Sequence, residues 1–102
     1  MLENLNSRAF SEHLRSTFQL KVPGAAPVPL ELLEVAEKDP SPKVEQFSLI
    51  FRGPLTPHFR QGTYSFVHEK LGAFDLFVVP LGPDSNGMSY QVVFNRLRQP
   101  PR

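Results

Sequence analysis

The chain has 102 residues, 40% of them hydrophobic and 21% charged, a net charge of +1 and no cysteine. That length supports one core of ordinary domain size, and the composition argues against wholesale disorder, a disulfide framework and thiolate chemistry. A net charge so close to zero gives no broad field for a polyanion, so nucleic acid is not an expected partner.

Eleven prolines and nine phenylalanines are the unusual counts. Proline is kept out of helix interiors and central strands, whereas phenylalanine suits strands and buries a large area, so the pair predicts many loops, little helix and aromatic strands. The start, MLENLNSRAF, has neither the basic residues nor the apolar run of a secretion signal. There is also no apolar stretch of membrane-spanning length, so the expectation is a soluble, cytoplasmic protein with no membrane association.

Residues 2–17 read as a short amphipathic helix, with Asn6 as N-cap, Phe10 and Leu14 on one face and Leu5 positioned to staple onto Phe10. A helix this short does not persist alone in water and must dock on the rest of the domain. Residues 18–22 alternate as a first strand, and Pro23, Gly24, Pro27 and Pro29 punctuate the connection after it. Val28, Leu30 and Leu32 keep a period of two, while Leu33 and Val35 take the opposite phase, which predicts a bulge between Leu32 and Leu33.

Residues 39–43, DPSPK, form a loop by composition. Phe47, Leu49 and Phe51 then alternate with polar residues as a third strand, with Ile50 as the apolar exception on the outer face. Residues 53–61, GPLTPHFRQ, read as an exposed connection. Tyr64 and Phe66 share one face of the next strand, and residues 69–72 make a hairpin turn in which Gly72 supplies the permissive backbone. The run FDLFVVPL at residues 74–81 is nearly all apolar and predicts a strand covered on both faces, with Pro80 marking the end of its pairing. GPDSNG at residues 82–87 is a turn, and residues 89–95 return with Tyr90, Val92 and Phe94 inward.

The fold class is therefore mainly β: about six antiparallel strands forming a small barrel or sandwich, capped by one short N-terminal helix. Residues 1–95 form a single domain, and residues 96–102 a basic, proline-ended, flexible tail.

Reactive chemistry is not visible. His13, His58 and His68 have no helical i, i+4 pairing and no companion cysteine, so a metal site is not expected. No serine sits in a nucleophile motif. Asp75 interrupts an apolar run, and reads as an outward residue or as a partner of Arg52 or Arg60. Asp84, Asn86 and Gly87 lack the remaining ligands of a calcium loop and read as a turn. The PxxP spacings at Pro54 to Pro57 and Pro80 to Pro83 read as turns, and Arg52, Arg60, Arg96, Arg98 and Arg102 as a solvated face plus a charged tail.

Three blocks in order, FSLIFRGP, QGTYSFVHEKLG and FDLFVVPLGPDSNGMSYQVVFN, span Phe47 to Asn95 and resemble a family of short bacterial proteins described only as a domain of unknown function. The resemblance implies no activity, cofactor or catalytic residue that can be carried over. It also brings an association with phage-tail-like genes, which is not visible in these residues.

The expected function is a noncatalytic structural or protein-interaction module, an accessory of a phage-tail-like bacterial assembly, that contacts protein through an edge strand or the 53–61 loop. The alternative is a small-molecule or carbohydrate binding barrel lined by Tyr64, His68, Asp75 and Tyr90. Catalytic residues, cofactors and metals are not expected in either case, and protein is the expected partner.

Overall fold

The computed structural model describes residues 6–37, 44–56 and 58–97. Asn6 is the helix N-cap that the sequence predicts, its side chain accepting from the Ala9 N–H at 2.9 Å. The helix that follows, α1 (Ser7–Ser11), is far shorter than the predicted span of residues 2–17. The chain leaves helical geometry because Arg15 adopts a left-handed φ of 70° and its N–H donates to the Leu32 carbonyl at 2.8 Å, while the Leu32 N–H donates to Ser16. Residues 12–15 are tight turns, with the His13, Leu14 and Ser16 N–H groups each bonded three residues back, and pairing with the Leu32 backbone begins at Arg15. Phe10 is fully buried, but with the helix ended Leu14 no longer shares its face and stays exposed. Leu5, the predicted staple, lies outside the described residues, as does the 39–43 loop.

Six strands follow: β1 (Thr17–Lys21), β2 (Val28–Glu37), β3 (Val44–Gly53), β4 (Gly62–His68), β5 (Gly72–Asp84) and β6 (Gly87–Leu97). They close into an antiparallel barrel in the order β1-β2-β3-β6-β5-β4, which decides between the two predicted architectures. Strand alternation supplies the interior. Phe18 and Leu20, Leu30 and Leu32, Phe47, Leu49 and Phe51, Phe66, Phe74, Leu76 and Val78, and Tyr90, Val92 and Phe94 all point inward and form one core with Phe10. The expected bulge is present as a register shift between Leu32 and Glu34, which turns Val35 back toward the core.

The barrel is not equally closed along its length. The β5–β6 ladder runs from Val79↔Gln91 to Asp84↔Gly87, whereas Gly72 to Val78 of β5 pair with β4 and the end of β6 pairs with β3. At the helix end the two strands therefore part, and the Phe10 ring fills the parting. Its centroid lies 6.0 Å from Phe74 on β5 and 5.7 Å from Phe94 on β6, with Phe18 and Phe47 each at 6.2 Å. Ser7 Oγ donates to Glu37 Oε2 at 2.9 Å and fixes the helix to β2.

Three expectations need correction. β5 is covered on one face only: Phe74, Leu76 and Val78 are buried while Phe77 is 51% and Leu81 53% exposed, because a barrel has one interior and, among the described residues, nothing packs outside this strand. Pro80 does not end the pairing either. It lies opposite Tyr90 next to a register shift between Pro80 and Gly82, a bulge that tolerates a residue without an N–H and lets the ladder continue to Asp84↔Gly87. The 53–61 connection is not uniformly exposed, since Gly53 belongs to β3 and is buried and Phe59 is a core residue.

At the carboxyl end, β6 carries backbone pairing through Leu97, opposite Val44, two residues into the segment predicted as a tail. Residues 98–102 lie outside the described residues.

Candidate functional site

His68 is the last residue of β4 and points into the helix end of the barrel with only 3% of its surface exposed. Its Nδ1 accepts from two backbone N–H groups of the following turn, Lys70 at 3.0 Å and Leu71 at 3.2 Å. With Nδ1 accepting twice, the ring proton resides on Nε2, which lies 2.9 Å from Ser16 Oγ and donates to it. The single hydroxyl hydrogen of Ser16 goes in turn to the His13 carbonyl. The His13 ring packs against that of His68 with centroids 4.7 Å apart, and Phe18 lies 4.4 Å away on another side.

A Ser–His pair of this kind suggests a nucleophile and its base, but the polarity is reversed. Activation needs an unprotonated nitrogen facing the hydroxyl, whereas here the imidazole gives a hydrogen to the serine oxygen. Burial is the main cause that holds the His68 pKa below its ordinary value, helped by His13 and Lys70 and opposed by Glu69. The ring is therefore neutral at pH 7, as its two accepted hydrogen bonds require.

At the other end of β4, about 13 Å along the strand at ~3.3 Å per residue, lies an aromatic group built on Phe59. Its N–H donates to the Tyr90 hydroxyl at 3.0 Å, and its ring lies 5.5 Å from Tyr64 and 6.0 Å from Tyr90. Tyr90 is fully buried, and burial raises its pKa, an effect that the Phe59 hydrogen bond opposes and Tyr64 reinforces. Tyr64 is half-buried and donates to the Arg60 carbonyl at 2.8 Å. One side of Tyr64 faces a surface cleft of about 740 Å³, lined by Lys21, Val22, Pro23, Ala25 and Pro27 from the β1–β2 connection and by Thr63 and Ser65 from β4.

Asp75 is on the outer surface of β5, exposed, where its carboxylate accepts from Ser65 Oγ at 2.8 Å across the β4–β5 ladder. Its partner is this serine and not Arg52 or Arg60. The four predicted lining residues thus fall in three places: His68 at the helix end, Tyr64 and Tyr90 at the opposite end, and Asp75 outside.

The lesser motifs resolve as local structure. Asp84 Oδ1 accepts from the Asn86 N–H at 2.8 Å, a side-chain turn closing the β5–β6 hairpin. Pro80 and Pro83 are strand residues opposite Tyr90 and Met88, not a polyproline segment, and Pro57 lies outside the described residues. Arg60 is exposed, and nothing gathers it with Arg52, whose Nε is buried without a hydrogen-bond partner among the described residues. His58 is exposed. Among the described residues, no three His, Asp or Glu side chains come together to hold a metal ion.

Sequence reasoning missed the His13–Ser16–His68 group and the burial of Phe59. For His68 a signal existed, because Tyr64, Phe66 and His68 share one phase of β4 and an inward histidine must find partners. No sequence signal joins His13 to it, since they meet only through the fold.

Residues 5–94 match the family described as Domain of unknown function (DUF6916). No curated protein and no solved structure matches the chain.

Proposed function

We propose that this chain, which belongs to the DUF6916 family, is a noncatalytic protein-interaction module that receives an extended peptide segment of a partner on the outside of its barrel. The observation that carries this reading is the cleft beside Tyr64. The β1–β4 ladder ends at Lys21↔Ser65, so Tyr64, Thr63 and Gly62 continue with β5 on one side and no β1 partner on the other. Backbone groups of alternate residues along that stretch point into the gap, ready for strand addition. Val22, Pro23, Ala25 and Pro27 form an apolar wall facing Tyr64, suited to the side chains of an extended segment.

Two further features support a noncatalytic role. Phenylalanine rings and Tyr90 fill the volume in which a small molecule or sugar would sit inside a barrel, and the four residues expected to line such a site do not converge. The Ser16–His68 pair is arranged to hold structure and not to transfer a proton. The resemblance to proteins associated with phage-tail-like genes supports an accessory place in an assembly of that type.

Ala25→Arg places a long charged side chain in the cleft without touching the core. The test is affinity capture with cross-linking from the native host, using the wild-type chain and this variant as baits. A stoichiometric protein cross-linked near Tyr64 and lost with Ala25→Arg, at an unchanged melting temperature, is the expected result. Equal recovery by both baits, or no stoichiometric protein with the wild type, overturns the reading.

A further inference from the structure

We propose that His13, Ser16 and His68 form an acid-sensitive latch that holds the segment after α1 against the β4–β5 hairpin at neutral pH and releases it in acid. This inference does not depend on the docking cleft, which lies at the opposite end of β4.

The latch follows from hydrogen-bond inventory. His68 Nδ1 accepts from the Lys70 and Leu71 N–H groups, and its Nε2 donates to Ser16 Oγ. A protonated imidazole carries a hydrogen on both nitrogens, so Nδ1–H would face two N–H donors and both turn bonds would be lost. The cation would also be enclosed by the Phe18 ring, 4.4 Å away, and by the His13 ring at 4.7 Å, which acts against a charge on His68.

The charged groups that act on His68 come from two sides. His13 approaches from the segment after α1, and Glu69 and Lys70 belong to the turn. Glu69 favours the cation and Lys70 opposes it, both exposed and screened by water, while burial and the closer His13 oppose it most. β1 contributes the neutral Phe18. The balance holds His68 neutral until acid forces the proton on, and the ring must then move toward water.

What gives way is defined by the remaining bonds. The Arg15 N–H to Leu32 carbonyl and Leu32 N–H to Ser16 carbonyl bonds tie the segment to β2 and do not titrate. Release from the β4–β5 hairpin therefore swings the segment about β2. The motion opens the helix end of the barrel, where Phe10 sits between Phe74 and Phe94. The sign agrees with the direction of the His68 shift. A folded-state pKa below the ordinary 6.5 gives a contribution present above pH 6.5 that is lost as pH falls through the lowered value.

The test is an NMR titration of the whole chain from pH 7.5 to 4.5, following the His68 ring signals and amide protection factors, with a hydrophobic dye as a parallel probe. The expected result is loss of protection at Lys70 and Leu71 in step with His68 protonation, with Leu49 and Phe51 of β3 still protected and dye fluorescence rising. His13→Gln removes the ring that opposes a charge on His68 and is expected to move the midpoint to higher pH. Three results overturn the latch: His68 titration with unchanged protection at Lys70 and Leu71, loss of β3 protection at the same midpoint, or an unmoved midpoint in His13→Gln.

Discussion

Replacing Phe10 by alanine tests whether the helix end of the barrel is held shut by one ring. Phe10 is fully buried and touches four aromatic neighbours, Phe18, Phe47, Phe74 and Phe94. Truncation to alanine gives up roughly 100 Å² of buried apolar surface, or about 2.5 kcal/mol at ~25 cal/mol per Å². Lost aromatic contacts contribute about 0.5–1.5 kcal/mol more, which brings the sum to about 3–4 kcal/mol, inside the 3–5 kcal/mol range for such core truncations. A five-residue helix has no stability of its own to offset this. With a urea slope of about 1–3 kcal/mol per M, the unfolding midpoint is expected to fall by about 1–4 M. The assay is urea unfolding followed by circular dichroism, with the slope compared between the two proteins. A loss below about 1 kcal/mol would refute the reasoning, because it would mean that the parted strands close without the ring.

Four other outcomes are expected. Gly87→Ala places a Cβ at φ 139°, directly against the Gly53 carbonyl oxygen, and should cost about 2 kcal/mol or more, read as a lower melting temperature. Tyr90→Phe leaves the buried Phe59 N–H without its acceptor and should cost about 1–3 kcal/mol in urea unfolding. The raised Tyr90 pKa gives a contribution present below pH 10 and lost as pH rises through the raised value, so Tyr90→Phe should also lack part of the wild type's alkaline destabilisation. Phe77→Ser, on the outer face, should change stability by about 1 kcal/mol or less, whereas Phe74→Ser three positions earlier should cost several times more. Ser16→Ala removes the acceptor of the His68 Nε2–H and should cost about 1–2 kcal/mol in thermal unfolding; labelling of wild-type Ser16 by a fluorophosphonate at pH 7 would contradict the donor direction assigned here.

The strands were legible because alternation is a local property. Phe47, Leu49 and Phe51, and likewise Tyr90, Val92 and Phe94, declare their inward face within a few residues, and each of these is buried. The same pattern misreads β5, since its outward residues Phe77, Val79 and Leu81 are also apolar. Whether a second layer covers them depends on the whole fold. Alternation also says which side of a strand is buried without saying which strands pair, so barrel and sandwich stayed equivalent until β1 and β4 were seen to join. Phe59 was lost among turn formers because its burial comes from Tyr90, 31 residues away in sequence. The His13–His68 contact is equally non-local: it needs the helix to stop at Ser11, the chain to turn at Arg15, and β4 to lie beside β1.

Both ends of this barrel are closed, but by different means, and the two proposals rest on that difference. At the Tyr64 end the closing bond is a backbone N–H to a buried phenol that stays neutral up to strongly alkaline pH, so the cleft beside it rests on a rigid base. At the helix end a five-residue helix is held by one inserted ring and the Ser7–Glu37 bond, and the segment after it by a histidine that can titrate. Under the two proposals the helix end is the part that opens in acid, where a titratable ring holds the segment after α1, and the Tyr64 end is the part that receives a partner. Ala25→Arg acts at one end and His13→Gln at the other, and Ala25 lines the cleft while His13 packs on His68. The two tests can therefore fail separately: loss of the docking reading would leave the acid latch standing, and an acid-insensitive helix end would leave the cleft open to its partner.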